Sequence, residues 1–130
     1  MFTFALLATA LLFGGMVLYS FGFAAFIFHA LPADLAGPVI RRAFPYFYLF
    51  VLFTAAAAMV ATLGRDVTAS LILGTIAATT LFARQVLMPA INRATDSGDR
   101  SRFKTLHAVS VLITLAHIAG SGWVLVRLAS

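Results

Sequence analysis

Along this chain four long apolar runs are separated by polar breaks, and the last break is the widest. It extends from Arg93 through Asp96-Ser97-Gly98-Asp99 to Lys104, with Arg84 inside the run before it and His107 at the start of the run after it. A bilayer core of about 30 Å takes roughly 20 apolar residues as helix, so each run is long enough to cross one. A transmembrane barrel would need strands of about ten residues with strict apolar and polar alternation. That alternation is absent. The pattern therefore predicts an all-α protein, a bundle of four transmembrane helices over about residues 3–30, 44–63, 67–92 and 101–128 of one membrane domain spanning 1–130. Residues 33–43 are expected to form a separate short surface helix.

Local chemistry sets these boundaries. Leu31 precedes Pro32, and a residue before proline is pushed out of the α region, so the first helix should stop at Ala30. Asp34 near the start and Arg41-Arg42 at the end of 33–43 match the helix macrodipole. Pro45 suits the first turn of the second helix, where its missing N–H costs nothing, and Tyr46 and Tyr48 fall where interfacial aromatics sit. In Gly64-Arg65-Asp66 the glycine suits a helix C-terminus and the aspartate an N-cap. Pro89 should bend the third helix or mark its exit from the membrane.

Helical spacing assigns a face to each run. Gly15, Gly22 and His29 are seven apart, with Tyr19 beside them, which predicts a packing stripe of small residues ending in a histidine. Ser70, Gly74, Ala77, Leu81, Arg84 and Met88 share a face of the third helix. His107, Ser110, Thr114, His117 and Ser121 span only ~80° of the fourth at 3.6 residues per turn. Polar groups in lipid need partners, so this stripe is expected to look inward.

Composition narrows the class. Hydrophobic residues are 62% of the chain and charged residues 10%, against roughly 45–50% and 25% in soluble domains. The first run has no basic stretch before it and no charge from Phe4 to Phe28, so it is expected to be a retained helix rather than a cleaved leader. Net charge is +5, which in so apolar a chain predicts loops facing an anionic leaflet and not a nucleic-acid surface. Arg41, Arg42, Arg93, Arg100, Arg102 and Lys104 fall on one side of four antiparallel spans, with Arg65 and Arg127 on the other. The positive-inside rule then predicts a bacterial cytoplasmic membrane with loops 31–44 and 93–104 cytoplasmic and both termini outside.

Candidate chemistry is sparse. There is no cysteine and no glutamate, which removes disulfides, thiolate ligands, thiol nucleophiles and the paired-glutamate di-iron bundle. All four acids, Asp34, Asp66, Asp96 and Asp99, fall in loops or caps, which argues against a proton-driven exporter with an intramembrane carboxylate. Ser101-Arg102-Phe103-Lys104 matches Ser-x-x-Lys but has no partner motif, and no set of nucleophile, base and orienting group is visible. His29, Arg84 and His107 are expected at similar depth on inward faces, and with Gln85, Tyr46, Tyr48 and Ser110 they form the candidate ligand-binding cluster. Haem b or a metal ion on His29, His107 or His117 is one reading of that cluster, since imidazole ligates both. His107 and His117 are ~15 Å apart along one helix and cannot share an iron, so bis-histidine ligation needs His29 facing His107. Capture of an anionic lipid headgroup or carboxylate by Arg84, His107 and Arg41-Arg42 is another. The competing account of Arg84 is snorkelling to the interface, and that of the histidines is ordinary hydrogen bonding.

These same residues carry a resemblance to a known family. Phe13-Gly14-Gly15-Met16, Phe26 to Leu31-Pro32, Ile40-Arg41, Phe44-Pro45-Tyr46-Phe47-Tyr48, Ala83-Arg84-Gln85, Pro89-Ala90-Ile91-Asn92, Phe103, Leu106-His107 and Ser110 together resemble the transmembrane protein 205-like family, known in bacteria as a domain of unknown function. The resemblance implies a four-helix membrane protein and carries over no catalytic residue. The expected function is that of a non-catalytic accessory or assembly subunit, with a membrane-protein partner or a second copy of itself beside it in the bilayer.

Overall fold

A computed structural model describes residues 1–130 and contains helix and tight turns only. The four helices are α1 (Phe2–Ala30), α2 (Ala33–Thr62), α3 (Val67–Asp96) and α4 (Arg100–Ala129), each long and apolar enough to cross a membrane. The protein is a multi-pass membrane protein. At 1.5 Å per residue the 30-residue helices are ~45 Å long, so their ends pass beyond a ~30 Å hydrocarbon core into the headgroup region. Successive helices run antiparallel and close into a ring, α1 on α2, α2 on α3, α3 on α4 and α4 back on α1.

The turns follow the sequence chemistry. Gly64 and Gly98 take φ of +75° and +71°, the left-handed region where a side chain is strained. Asp66 accepts from the Ala69 N–H at 3.0 Å and Asp99 from the Arg102 N–H at 3.1 Å, so each caps the helix after it. Asp66 also pairs with Arg127 at 2.5 Å, tying the 63–66 turn to the end of α4. This end of the bundle, which holds both termini, is the terminal end. The other holds Arg41, Arg42, Arg93, Arg100, Arg102 and Lys104 and is the basic end.

The core is built largely from small residues that let backbones approach. Ala5, Ala55, Ala58, Ala61 and Ala69 are buried among Leu12, Met16, Val51, Leu73 and Val124. A side chain on Gly15 would begin 2.5 Å from the Phe50 ring, and one on Gly122 3.0 Å from Phe13. These contacts fix how close α1 sits to α2 and α4.

The chain departs from expectation at Pro45 and in two wide turns. Residues 33–43 are not a separate surface helix, because α2 continues from Ala33 to Thr62 with Pro38 and Pro45 inside it. Pro45 deprives the Arg41 carbonyl of its helical donor, at a residue exposed on the basic end where water reaches it. Pro89 lies inside α3, as expected, and the helix runs on to Asp96. A π-helical turn over Ala83–Leu87 precedes it and contains Gln85, whose carbonyl Pro89 leaves without a donor. A second π turn covers Leu18–Phe23 of α1. Such a turn adds about one residue to the helical count, so faces extrapolated through it at 3.6 residues per turn are wrong. Gly15 is packed, but Gly22 within the π turn and His29 beyond it are exposed. In α3, Ala77 is buried and Leu81, before the second π turn, is exposed, while within that turn Ala83 and Leu87 take the inner face.

Candidate functional site

At the basic end α2 is held by one directed contact from each of the other helices. Tyr19, inside the first π turn, donates its hydroxyl to the Ala43 carbonyl at 2.8 Å. Arg84, inside the second, donates Nε–H to the Pro45 carbonyl at 3.3 Å and an Nη1–H to Gln85 Oε1 at 3.0 Å. Tyr48 and Ser110 of α4 share a hydrogen bond at 3.4 Å. Neighbouring helices that donate to backbone carbonyls around a proline are a recurring means of keeping such a helix in lipid. Tyr19, Phe23, Phe44, Phe47 and Tyr48 form a continuous aromatic stack beneath these bonds, with centroid separations of 4.9–6.2 Å. Arg41 closes the end with a two-pronged pair to Asp96, at 2.7 and 3.0 Å.

The predicted cluster is therefore brought together only in part. Arg84 is half-buried and faces α2, and Tyr48 is buried, whereas Tyr46 is 72% exposed and Gln85 reaches back to Arg84 from an exposed position. His29 and His107 do not join Arg84: both are exposed, and neither makes a side-chain hydrogen bond within the chain. His107 stacks on Phe103, with ring centroids 5.4 Å apart. The cause is the splay of α1 and α4. α4 packs on the Phe2–Val17 half of α1, while the Ala24–Ala30 segment that carries His29 packs on α2. The face-to-face arrangement that bis-histidine haem ligation requires is thus not how these helices meet. No three His or Asp side chains gather closely enough to hold a metal ion.

The polar stripe of α4 is inward only near the terminal end. Ser121 and His117 are buried, Thr114 and Ser110 half-buried, and His107 exposed, so the stripe winds out of the bundle toward the basic end. His117 Nε2 lies 2.6 Å from Thr79 Oγ1 of α3, a bond between neighbouring helices. Thr79 belongs to none of the stripes that helical spacing predicts, although one relation in the sequence reaches it. Thr79 and His117 are each nineteen residues from Gly98, the apex of the turn joining their helices, so antiparallel packing sets them level. Two further hydroxyls are buried without a partner, Ser20 in the first π turn and Thr80 beside Thr79.

Comparison with known proteins adds the family and nothing about chemistry. The family model described as "Domain of unknown function (DUF4149)" matches residues 7–100, and the chain belongs to that family. No curated protein and no solved structure matches the chain.

Proposed function

We propose that this member of a family of unknown function is a non-catalytic accessory or assembly subunit, acting through lateral contact of α4 with a transmembrane helix of a partner protein. The observation that carries this reading is the state of the Arg100–Ala116 half of α4. None of its residues is buried, although it bears Thr105, His107, Ser110 and Thr114. Exposed apolar side chains suit lipid, but polar ones there need a partner. Thr114, close to the middle of α4, makes no side-chain hydrogen bond within the chain. A helix offering a hydroxyl or amide opposite Thr114 would supply one. The resemblance to the transmembrane protein 205-like family, which implies no activity, agrees with this reading.

The charge distribution supports a bacterial cytoplasmic membrane with the basic end in the cytoplasm and both termini outside. It also supports a second, weaker role for that end. Asp96 neutralises Arg41, whereas Arg42, Arg93, Arg100, Arg102 and Lys104 have no carboxylate within ion-pair distance. These five cations suit anionic lipid headgroups.

A photo-crosslinking residue at Leu112, 65% exposed on α4, tests the first role in cells against one at Phe53, 68% exposed on α2. A discrete crosslinked polypeptide from Leu112 alone is the expected result; a second copy of this chain would identify the partner as itself. Equal lipid-only labelling from both positions would remove the reading.

A further inference from the structure

Arg84 is half-buried between α3 and α2, and its hydrogen-bond partners are neutral, the Pro45 carbonyl and Gln85 Oε1. No carboxylate lies within ion-pair distance of it, and the four aspartates sit at helix ends or in turns. We propose that Arg84 and Arg42 hold the phosphate of one anionic phospholipid at the seam where α2 meets α3, with Tyr46 and Gln85 at its rim. This site is separate from the α4 contact and rests on the reading that the basic end lies among anionic headgroups.

Depth is the first argument. The Asp66–Arg127 pair marks the terminal-end face of the membrane. Arg84 is eighteen residues along α3 from Asp66, and Pro45 eighteen along α2 from Leu63, so two helices independently put the Arg84–Pro45 bond ~27 Å from that face. Arg42, three residues beyond Pro45, lies at ~32 Å. A hydrocarbon core of ~30 Å ends between the two arginines, at the level where lipid headgroups begin. Tyr46 is 72% exposed at that level, where interfacial aromatics sit.

Charge is the second. A cation at the hydrocarbon edge among neutral partners is held at a cost that a counter-ion removes. The chain supplies none, and the leaflet presents phosphates at that depth. The groups left over can each donate. An arginine has no acceptor, so Gln85 must turn Oε1 toward it, which leaves the Gln85 amide N–H groups free. Arg84 keeps the N–H groups of its second Nη, and Arg42 is exposed with no ion pair. A phosphodiester, anionic and rich in acceptor oxygens, answers such a set.

Order is the third. Arg84 is tied at Nε and Nη1 before any ligand arrives, so it loses less rotamer freedom on binding than a free surface arginine does. Arg42 is three residues before Pro45 and four before Tyr46, which places it on the exposed face of α2 beside the seam, whereas Arg41 turns to Asp96. Arg100 and Arg102 at the tip of the α3–α4 turn are exposed and unpaired, so they attract headgroups without fixing one.

The test uses the full chain in maltoside micelles, titrated with phosphatidylglycerol and read by native mass spectrometry as lipids bound per chain. One lipid is expected to bind roughly tenfold tighter than the rest, and roughly tenfold tighter than phosphatidylcholine, whose headgroup carries its own cation. Arg84→Gln should erase that preference. Because it also removes the donor to Pro45, the second variant is Arg42→Gln, which breaks no ion pair within the chain and should weaken the tight site roughly threefold. Arg100→Gln combined with Arg102→Gln should leave the site intact, and millimolar inorganic phosphate should displace no lipid. The proposal is overturned if Arg42→Gln and Arg84→Gln leave the tight lipid bound, if phosphatidylcholine binds equally, or if inorganic phosphate competes, which would make the ligand a free ion. Loss of tight binding only in the Arg100 and Arg102 variant would overturn this site while sparing the broader attraction of the basic end. A polypeptide captured by a photo-crosslinker at Tyr46 in native membranes would overturn it too, since a partner's carboxylate would then be the counter-ion.

Discussion

The two halves of this bundle are held by different forces. Toward the terminal end the helices are regular, and alanines, glycines and threonines bring backbones together around Leu12, Leu73 and Val124. Toward the basic end both π turns and all four prolines occur, α4 buries nothing before His117, and the cohesion comes from aromatic rings and single hydrogen bonds to carbonyls of α2. Close packing in lipid is additive over many small contacts and leaves one arrangement. Directed bonds around a proline hold a helix whose backbone ladder is already interrupted, and that half is the one that can adjust to a neighbour.

Truncation in the core tests the contrast most strongly. Leu12→Ala should cost about 2–3 kcal/mol, measured by reversible unfolding in mixed micelles, because Leu12 is 0% exposed and its cavity cannot collapse against rigid neighbours. Leu112→Ala on the open half of α4 should cost less than about 0.5 kcal/mol. Equal losses would erase the distinction between the halves.

A medium effect is expected where the basic half depends on single bonds. Arg84→Met removes the donor to the Pro45 carbonyl and should cost about 1–2 kcal/mol, with Tyr19→Phe nearer 1. Amide exchange should then rise locally around residues 41–49 of α2, while exchange near Ala58 and Ala61 stays unchanged.

A smaller effect comes from Asp66. The Arg127 guanidinium, followed by the Ala69 N–H, holds its carboxyl below the ordinary value of 3.8. A depressed carboxylate stabilises the fold above the unfolded value and loses that contribution as pH falls through the folded one. Melting temperature should therefore begin to drop below about pH 4, and Asp66→Asn should flatten that acid limb while lowering the plateau. The smallest effect is expected from Arg41→Ala, whose pair with Asp96 is exposed on both sides and screened. Its melting temperature should match the parent in 0.5 M salt.

The four spans, the caps at Asp66 and Asp99 and the uneven charge were legible because each rests on residues near one another in sequence. The site was legible only as far as the helices stay regular. Neither π turn leaves a mark in the apolar pattern, so the stripe from Gly15 through Gly22 was carried to His29 across a turn that rotates it outward. Pro45 suits a helix start, and that α2 runs through it is not legible, because the contacts that hold the helix there, from Tyr19 to the Ala43 carbonyl and from Arg84 to the Pro45 carbonyl, belong to tertiary structure. The pairing of His117 with Thr79 lay within reach, through their equal distance from Gly98.

The central claim is that the Arg100–Ala116 half of α4 is covered by another helix in the native membrane. With no cysteine in the chain, single cysteines at Val111, Leu112 and Leu115, and at Phe53 as reference, can each take one spin label. Oxygen accessibility measured by electron paramagnetic resonance should be low at the three α4 positions in native membranes and rise to the Phe53 level after reconstitution alone. Accessibility at Leu112 equal to that at Phe53 before any purification would contradict the claim.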